Sequence, residues 1–145
     1  MSNGGRHQTQ WAAQFAVASE LCKRGCDVGF TMGHSTPLAD LFVLSPDKKT
    51  TFLIDVKGLK TRNFWQIRQK EQTENLFYVL AYVPTGSTNR FFIFSQKQLT
   101  ETMYRYETSG VKYDPRFSGI NWGMALSQEN LWEELPLASK VAAAE

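Results

Sequence analysis

Thr51-Phe52-Leu53-Ile54-Asp55-Val56-Lys57-Gly58 decides the fold of this chain. Its aromatic and β-branched residues favour a strand. The alternation Ile54-Asp55-Val56-Lys57 turns two apolar side chains to one face and an acid and a base to the other. Just upstream, Ala39-Asp40-Leu41-Phe42-Val43-Leu44-Ser45 is a second β-rich run. The two runs, 39–45 and 50–56, are separated by Pro46-Asp47-Lys48-Lys49, which is turn chemistry, so they read as a hairpin. The midpoint of Asp40 and Asp55 falls between Asp47 and Lys48, and a symmetric hairpin turning there sets the two carboxylates opposite each other.

Like charges facing across strands repel, and a shared divalent cation relieves the repulsion. Mg²⁺ suits such a pair, with Mn²⁺ able to substitute, because it takes one or two carboxylates and leaves its other positions to water and phosphate oxygens. Lys57 lies on the Asp55 face, where an ammonium group can orient a metal-bound water and offset charge developing at phosphorus. The competing reading is a half-exposed strand with a solvated charged face. Ile-Asp-Val-Lys alone favours that reading, and Asp40 at the matching end of the neighbouring strand tips the balance toward a site.

The 145 residues suffice for one domain, expected over 1–136, with 137–145 a flexible tail. Hydrophobic residues are 42% and aromatics 13%, a globular profile. No apolar run approaches the roughly 18 residues of a membrane span. The opening residues lack the apolar core of a signal peptide, so a cytoplasmic location is expected, with Cys22 and Cys26 reduced. No Gly-rich phosphate loop and no serine-histidine-acid arrangement is visible. A net charge of +2 says little about partners, but its distribution says more. Lys57, Lys60, Arg62, Arg68 and Lys70 follow one another without an intervening acid, interleaved with Asn63, Phe64, Trp65 and Gln66. Lys60, Arg62, Arg68 and Lys70 are the candidate phosphate contacts. Trp65 is a candidate for stacking on a base, weighed against a packing anchor. His34, in the loop before Asp40, is a possible accessory proton shuttle.

Along the rest of the chain, Trp11, Phe15, Ala18 and Cys22 form an apolar stripe of helical period over about 7–24, stopped by Gly25. Residues 26–30 read as a strand and 31–38 as a loop. Residues 64–74 read as a loop leading to a short exposed helix, and 76–83 and 90–94 as strands covered on both faces. Ser95 begins a helix to about Tyr104. Residues 106–126 look irregular, with Tyr113, Phe117 and Trp122 as anchors, and Ser127 is expected to cap a last short helix bearing Glu129. The order α-β-β-β-α-β-β-α-α describes an α/β domain, with a mixed sheet of about five strands flanked by helices.

This arrangement resembles the PD-(D/E)xK, or restriction-endonuclease-like, nuclease superfamily in its resolvase- and restriction-like branch. The resemblance rests on the helix from Trp11 to the stop at Gly25, the Val28 strand, the Asp40 strand, and Ile54-Asp55-Val56-Lys57, and covers roughly 7–58. It implies a restriction-endonuclease-like core, Asp40 and Asp55 as metal ligands, and Lys57 as the catalytic lysine. The implied activity is metal-dependent DNA endonuclease action through a Mg²⁺-activated water, with a homodimer cutting two strands. The apolar strand Phe91–Phe94 is then a candidate partner face. In one respect the chain departs from the pattern. That branch commonly carries a helix glutamate about eleven residues before the terminating glycine, and Gln14 stands there. Glu20 lies about 240° around the helix and cannot replace it. The alternative reading is a catalytically weakened module of the same fold, binding DNA or a protein partner in a defence, recombination or mobile-element complex.

Overall fold

A computed structural model describes residues 3–31, 38–110, 114 and 118–138. Helix α1 (Asn3–Lys23) leads into strands β1 (Asp27–Phe30), β2 (Leu41–Leu44) and β3 (Thr51–Leu59). A two-residue strand β4 (Trp65–Gln66), then β5 (Leu76–Tyr82), β6 (Arg90–Ser95) and helix α2 (Gln96–Glu107) follow. Strand β7 (Gly119–Ile120), the short helix α3 (Trp122–Ala125) and two 3-10 turns complete the order. The five-stranded sheet runs β1-β2-β3-β5-β6, and β4 pairs with β7 in a separate two-stranded sheet. The larger sheet is mixed, because β3 and β5 run parallel while every other neighbouring pair is antiparallel. Apolar residues fill both faces. One layer joins Ala13, Val17 and Leu21 of α1 to Ile54 and Val56, and the other joins Leu99 and Met103 of α2 to Trp65, Tyr78 and Phe92.

Gly25 takes φ 92°, and the Cys26 N–H returns to the Leu21 carbonyl at 3.1 Å, closing α1 where expected. The face that α1 buries shares only Ala18 with the expected stripe. Ala13, Val17 and Leu21, spaced i, i+4, i+8, are fully buried, whereas Phe15 is 58% exposed and Cys22 is exposed. The cause is the closeness of helix and sheet. A Cβ placed on Gly58 of β3 would lie 2.6 Å from the Ala13 Cβ, so no large ring fits between them. Trp11 and Phe15 instead stack on each other on the flank (centroids 5.6 Å), with Phe15 edge-on to Phe30.

The exposed helix expected within 64–74 is replaced by β4 and an extended segment. Trp65 and Ile67, two residues apart, are each 1% exposed, a strand-like period that helical reading obscured. Gln96 at the start of α2 then pins the segment. Its Oε1 accepts the Thr73 N–H at 2.7 Å, and its Nε2 donates to the Glu71 carbonyl at 3.0 Å. Ser95 caps α2 as expected, in a reciprocal pair with Gln98.

Ser127, by contrast, lies inside a 3-10 turn (Leu126–Gln128) and caps nothing, while Asn121 caps α3 by accepting the Met124 N–H at 2.9 Å. The polar groups of 128–130 serve β6 instead. Gln128 donates to the Ile93 carbonyl at 2.7 Å, the Asn130 N–H to the Phe91 carbonyl at 2.9 Å, and Glu129 clasps Arg90 at 2.7 and 2.8 Å. That strip covers the edge of the sheet. Phe91, Phe92, Ile93 and Phe94 are at most 5% exposed, each contributing roughly 1.5–3 kcal/mol through burial within its own chain. This strand therefore offers no face to a partner. Leu137 packs on the α1 layer. Among the described residues no helix is long and apolar enough to cross a membrane. The expected anchors Tyr113 and Phe117, most of the loop before Asp40 and residues 139–145 lie outside the described residues.

The contact between α1 and β3 yields a prediction. Gly58→Ala forces helix and strand apart and is expected to lower stability by about 1–3 kcal/mol, read as an earlier urea midpoint at unchanged slope.

Candidate functional site

The hairpin has the symmetric register. Leu41, Phe42, Val43 and Leu44 oppose Ile54, Leu53, Phe52 and Thr51, and the regular pairing ends there, with Asp40 at a bend one residue before Leu41. At that bend the backbone ladder gives way to a side chain. The Asp40 N–H donates to the Ile54 carbonyl at 2.9 Å, and Asp40 Oδ2 accepts the Val56 N–H at 2.7 Å. The carboxylate thus fills the place of a ladder carbonyl, which fixes it beside β3. Its other oxygen, Oδ1, accepts a long 3.4 Å hydrogen bond from Gln14 Nε2. Gln14 is 4% exposed and faces the sheet between Ala13 and Val17 of α1. Glu20 turns away and pairs with Arg24 at 3.4 Å and Lys23 at 3.8 Å.

Asp55 is 2% exposed in the middle of the sheet, and its neighbours Ile54 and Val56 are fully buried on the α1 side. An isolated carboxylate there would be costly, and two ammonium groups answer it. Lys57 Nζ stands 3.2 Å from Asp55 Oδ1, and Lys70 Nζ holds Oδ2 while donating to the Leu38 carbonyl at 2.7 Å. Asp55 Oδ1 accepts no hydrogen bond from the described residues, so Lys57 meets it as an ion-pair partner only. Burial pushes the Asp40 carboxyl above its ordinary value; the Val56 N–H opposes this, the charge of Asp55 adds to it, and Lys57 and Lys70 oppose it again. Tyr78, the partner of Asp55 across β5, is pushed up to about 12 by burial and by that same charge, and so stays a neutral phenol.

The basic segment divides. Lys70 points inward to Asp55 and not outward to a phosphate, because the extended backbone pinned by Gln96 carries it under the loop at Leu38. Trp65 is a packing anchor and not an exposed stacking platform. It is 1% exposed, its Nε1 donates to the Ala81 carbonyl at 3.2 Å, and it packs on Trp122 and Phe92. Arg62 lies over the Trp122 ring at 4.4 Å. Lys60 and Arg68 are exposed. His34 lies outside the described residues.

Sequence reasoning missed Gln96, which places Lys70, and it missed a groove. A recess of about 500 Å³ opens beside Lys57, walled by Arg6, Thr9 and Gln10 of α1 and by Lys60 and Phe64 after β3. No local pattern links Arg6 to Lys60; only the packing of α1 across β3 brings them together.

Asp40 and Asp55 are the carboxylates available here to hold a divalent cation, and among the described residues no third His, Cys, Asp or Glu joins them. The donor set fits such an ion: two carboxylates from neighbouring strands, with Asp55 Oδ1 accepting no hydrogen bond among the described residues and facing only the Lys57 ammonium at 3.2 Å there. No family model, curated protein or solved structure matches the chain.

The environment of Asp40 has a pH signature. Because its carboxyl is raised in the fold, the folded chain holds that proton more tightly than the unfolded chain does. Its stabilising contribution is therefore present below the unfolded value and lost as pH rises through the folded one. Asp40→Asn keeps an acceptor for the Val56 N–H without the charge. It is expected to melt above the wild type at pH 7, with the difference vanishing below about pH 3.5, as read by thermal melts across pH.

Proposed function

We propose that this chain is a metal-dependent DNA endonuclease that hydrolyses phosphodiester bonds by water attack. The observation that carries the reading is the buried Asp55 carboxylate, flanked by Lys57 at 3.2 Å, with Asp40 at the matching end of the next strand. A structural ion pair does not need a second carboxylate placed beside the first. Asp40 and Asp55 would hold Mg²⁺ or Mn²⁺, which when bound lowers the pKa of water and polarises a phosphoryl oxygen. Asp40 is held for this role by the Val56 N–H, so little reorganisation is required of it. Lys57, 33% exposed while its partner is buried, reaches from Asp55 toward solvent. There its ammonium group can orient the attacking water and balance charge building on the phosphate. The family resemblance of the helix, hairpin and Asp-Val-Lys order supports the same reading, as does a mixed five-stranded sheet. Cutting both strands of a duplex calls for two such sites, hence a homodimer.

A second reading has its own observations. Gln14 gives Asp40 an amide N–H where the related branch carries an acid, and Lys70 already neutralises Asp55. Such a site is balanced without metal, as suits a nuclease-fold module that binds DNA or a protein in a defence, recombination or mobile-element complex.

Cleavage of supercoiled plasmid and of branched DNA with Mg²⁺ or Mn²⁺ tests the first reading. Asp55→Ala and Lys57→Ala are each expected to slow it by at least about 100-fold; unchanged rates in both variants sink the assignment. Gln14→Glu is expected to tighten Mn²⁺ binding roughly tenfold by calorimetry. Cleavage appearing only in that variant establishes the weakened-module reading.

A further inference from the structure

The groove beside Lys57 is distinct from the carboxylate pair but continuous with it, because Lys57 lines one and contacts the other. Its walls are fixed. Gln10 Nε2 donates to the Val56 carbonyl at 2.8 Å, tying α1 to β3 one residue from Lys57, and the Thr9 hydroxyl donates within α1 to the Gly5 carbonyl. Three cations face it, Arg6, Lys57 and Lys60, and among the described residues lining it none is Asp or Glu. A recess so charged attracts an anion chain and not a peptide of mixed charge.

Its size narrows the ligand further. At about 500 Å³ it matches a ligand of drug size, as one or two nucleotides are, and a duplex cannot enter it as a body. The rest of its wall is uncharged. Leu59 and the half-buried Phe64 present apolar surface between the cations, the combination of basic track and aromatic face on which unpaired bases are held.

We propose that this groove binds single-stranded DNA, with phosphates on Arg6, Lys57 and Lys60 and a base against Phe64, so that the chain acts where nucleotides beside the scissile bond are unpaired. The inference rests on the endonuclease reading for its biological sense, but the binding itself requires no metal. Fluorescence anisotropy in EDTA with a labelled oligothymidylate and a blunt hairpin duplex of equal length therefore tests it separately. The single strand is expected to bind at least about tenfold tighter than the duplex. Arg6→Ala and Lys60→Ala, both at exposed positions, should each weaken single-strand binding and lower the salt slope by about 0.7. Phe64→Leu, which keeps the bulk and removes the ring, should weaken it by about fivefold or more. Lys97→Ala, on the exposed side of α2, should leave it unchanged.

Duplex binding as tight as single-strand binding overturns the proposal, as does indifference to both Arg6→Ala and Lys60→Ala, or the absence of binding to either DNA. Single-strand binding as expected with no cleavage under Mg²⁺ or Mn²⁺ supports the groove and overturns only the hydrolase reading.

Discussion

A carboxylate sealed into the middle of a sheet must be answered by charge, and Asp55 imposes that requirement on much of this molecule. It is 2% exposed with fully buried neighbours on either side, so water cannot neutralise it. Lys57 answers from the same strand. Lys70 answers from a segment that has neither helix nor strand of its own and is held in reach by Gln96 at the start of α2. The capping box at Ser95, which sets where α2 begins, thereby sets where Gln96 stands. Local helix-start chemistry is in this way coupled to the charge state of a residue on the opposite side of β5.

The hairpin contributes a different kind of order. Asp40 ends the ladder by accepting the Val56 N–H with its side chain. The two acids are brought together by backbone geometry, and their repulsion is tolerated because two ammonium groups lie close. Among the described residues Asp55 Oδ1 accepts no hydrogen bond and has the Lys57 ammonium, 3.2 Å away, as its ion-pair partner. Lys70 supplies the balancing charge in the resting protein. In the proposed hydrolase it is the group that a metal ion has to share Asp55 with.

The α1 helix has two duties that its sequence conceals. Its small residues let it lie close on β3 through Gly58, and that closeness carries Gln14 to Asp40 and Gln10 to the Val56 carbonyl. The same packing sets Arg6 across from Lys60 and forms the groove. Bulky Trp11 and Phe15, which dominate the hydropathy pattern, are displaced to the flank and help to position β1 through Phe30.

The sequence by itself determined the hairpin, its register, the shared face of Asp55 and Lys57, the two strands read at 76–83 and 90–94 and the start of α2, because each depends on local period, turn residues or a cap. Tertiary structure alone decided the buried face of α1, where the approach allowed by Gly58 outweighed side-chain size. It also decided the fate of 64–74, where burying Trp65 and Ile67 outweighed helix propensity. The inward turn of Lys70, the retreat of Arg62 onto Trp122 and the path of 126–130 along β6 belong to the same class. In each, a side chain or backbone group met a partner from a distant part of the chain, and no spacing within the segment records which partner that is.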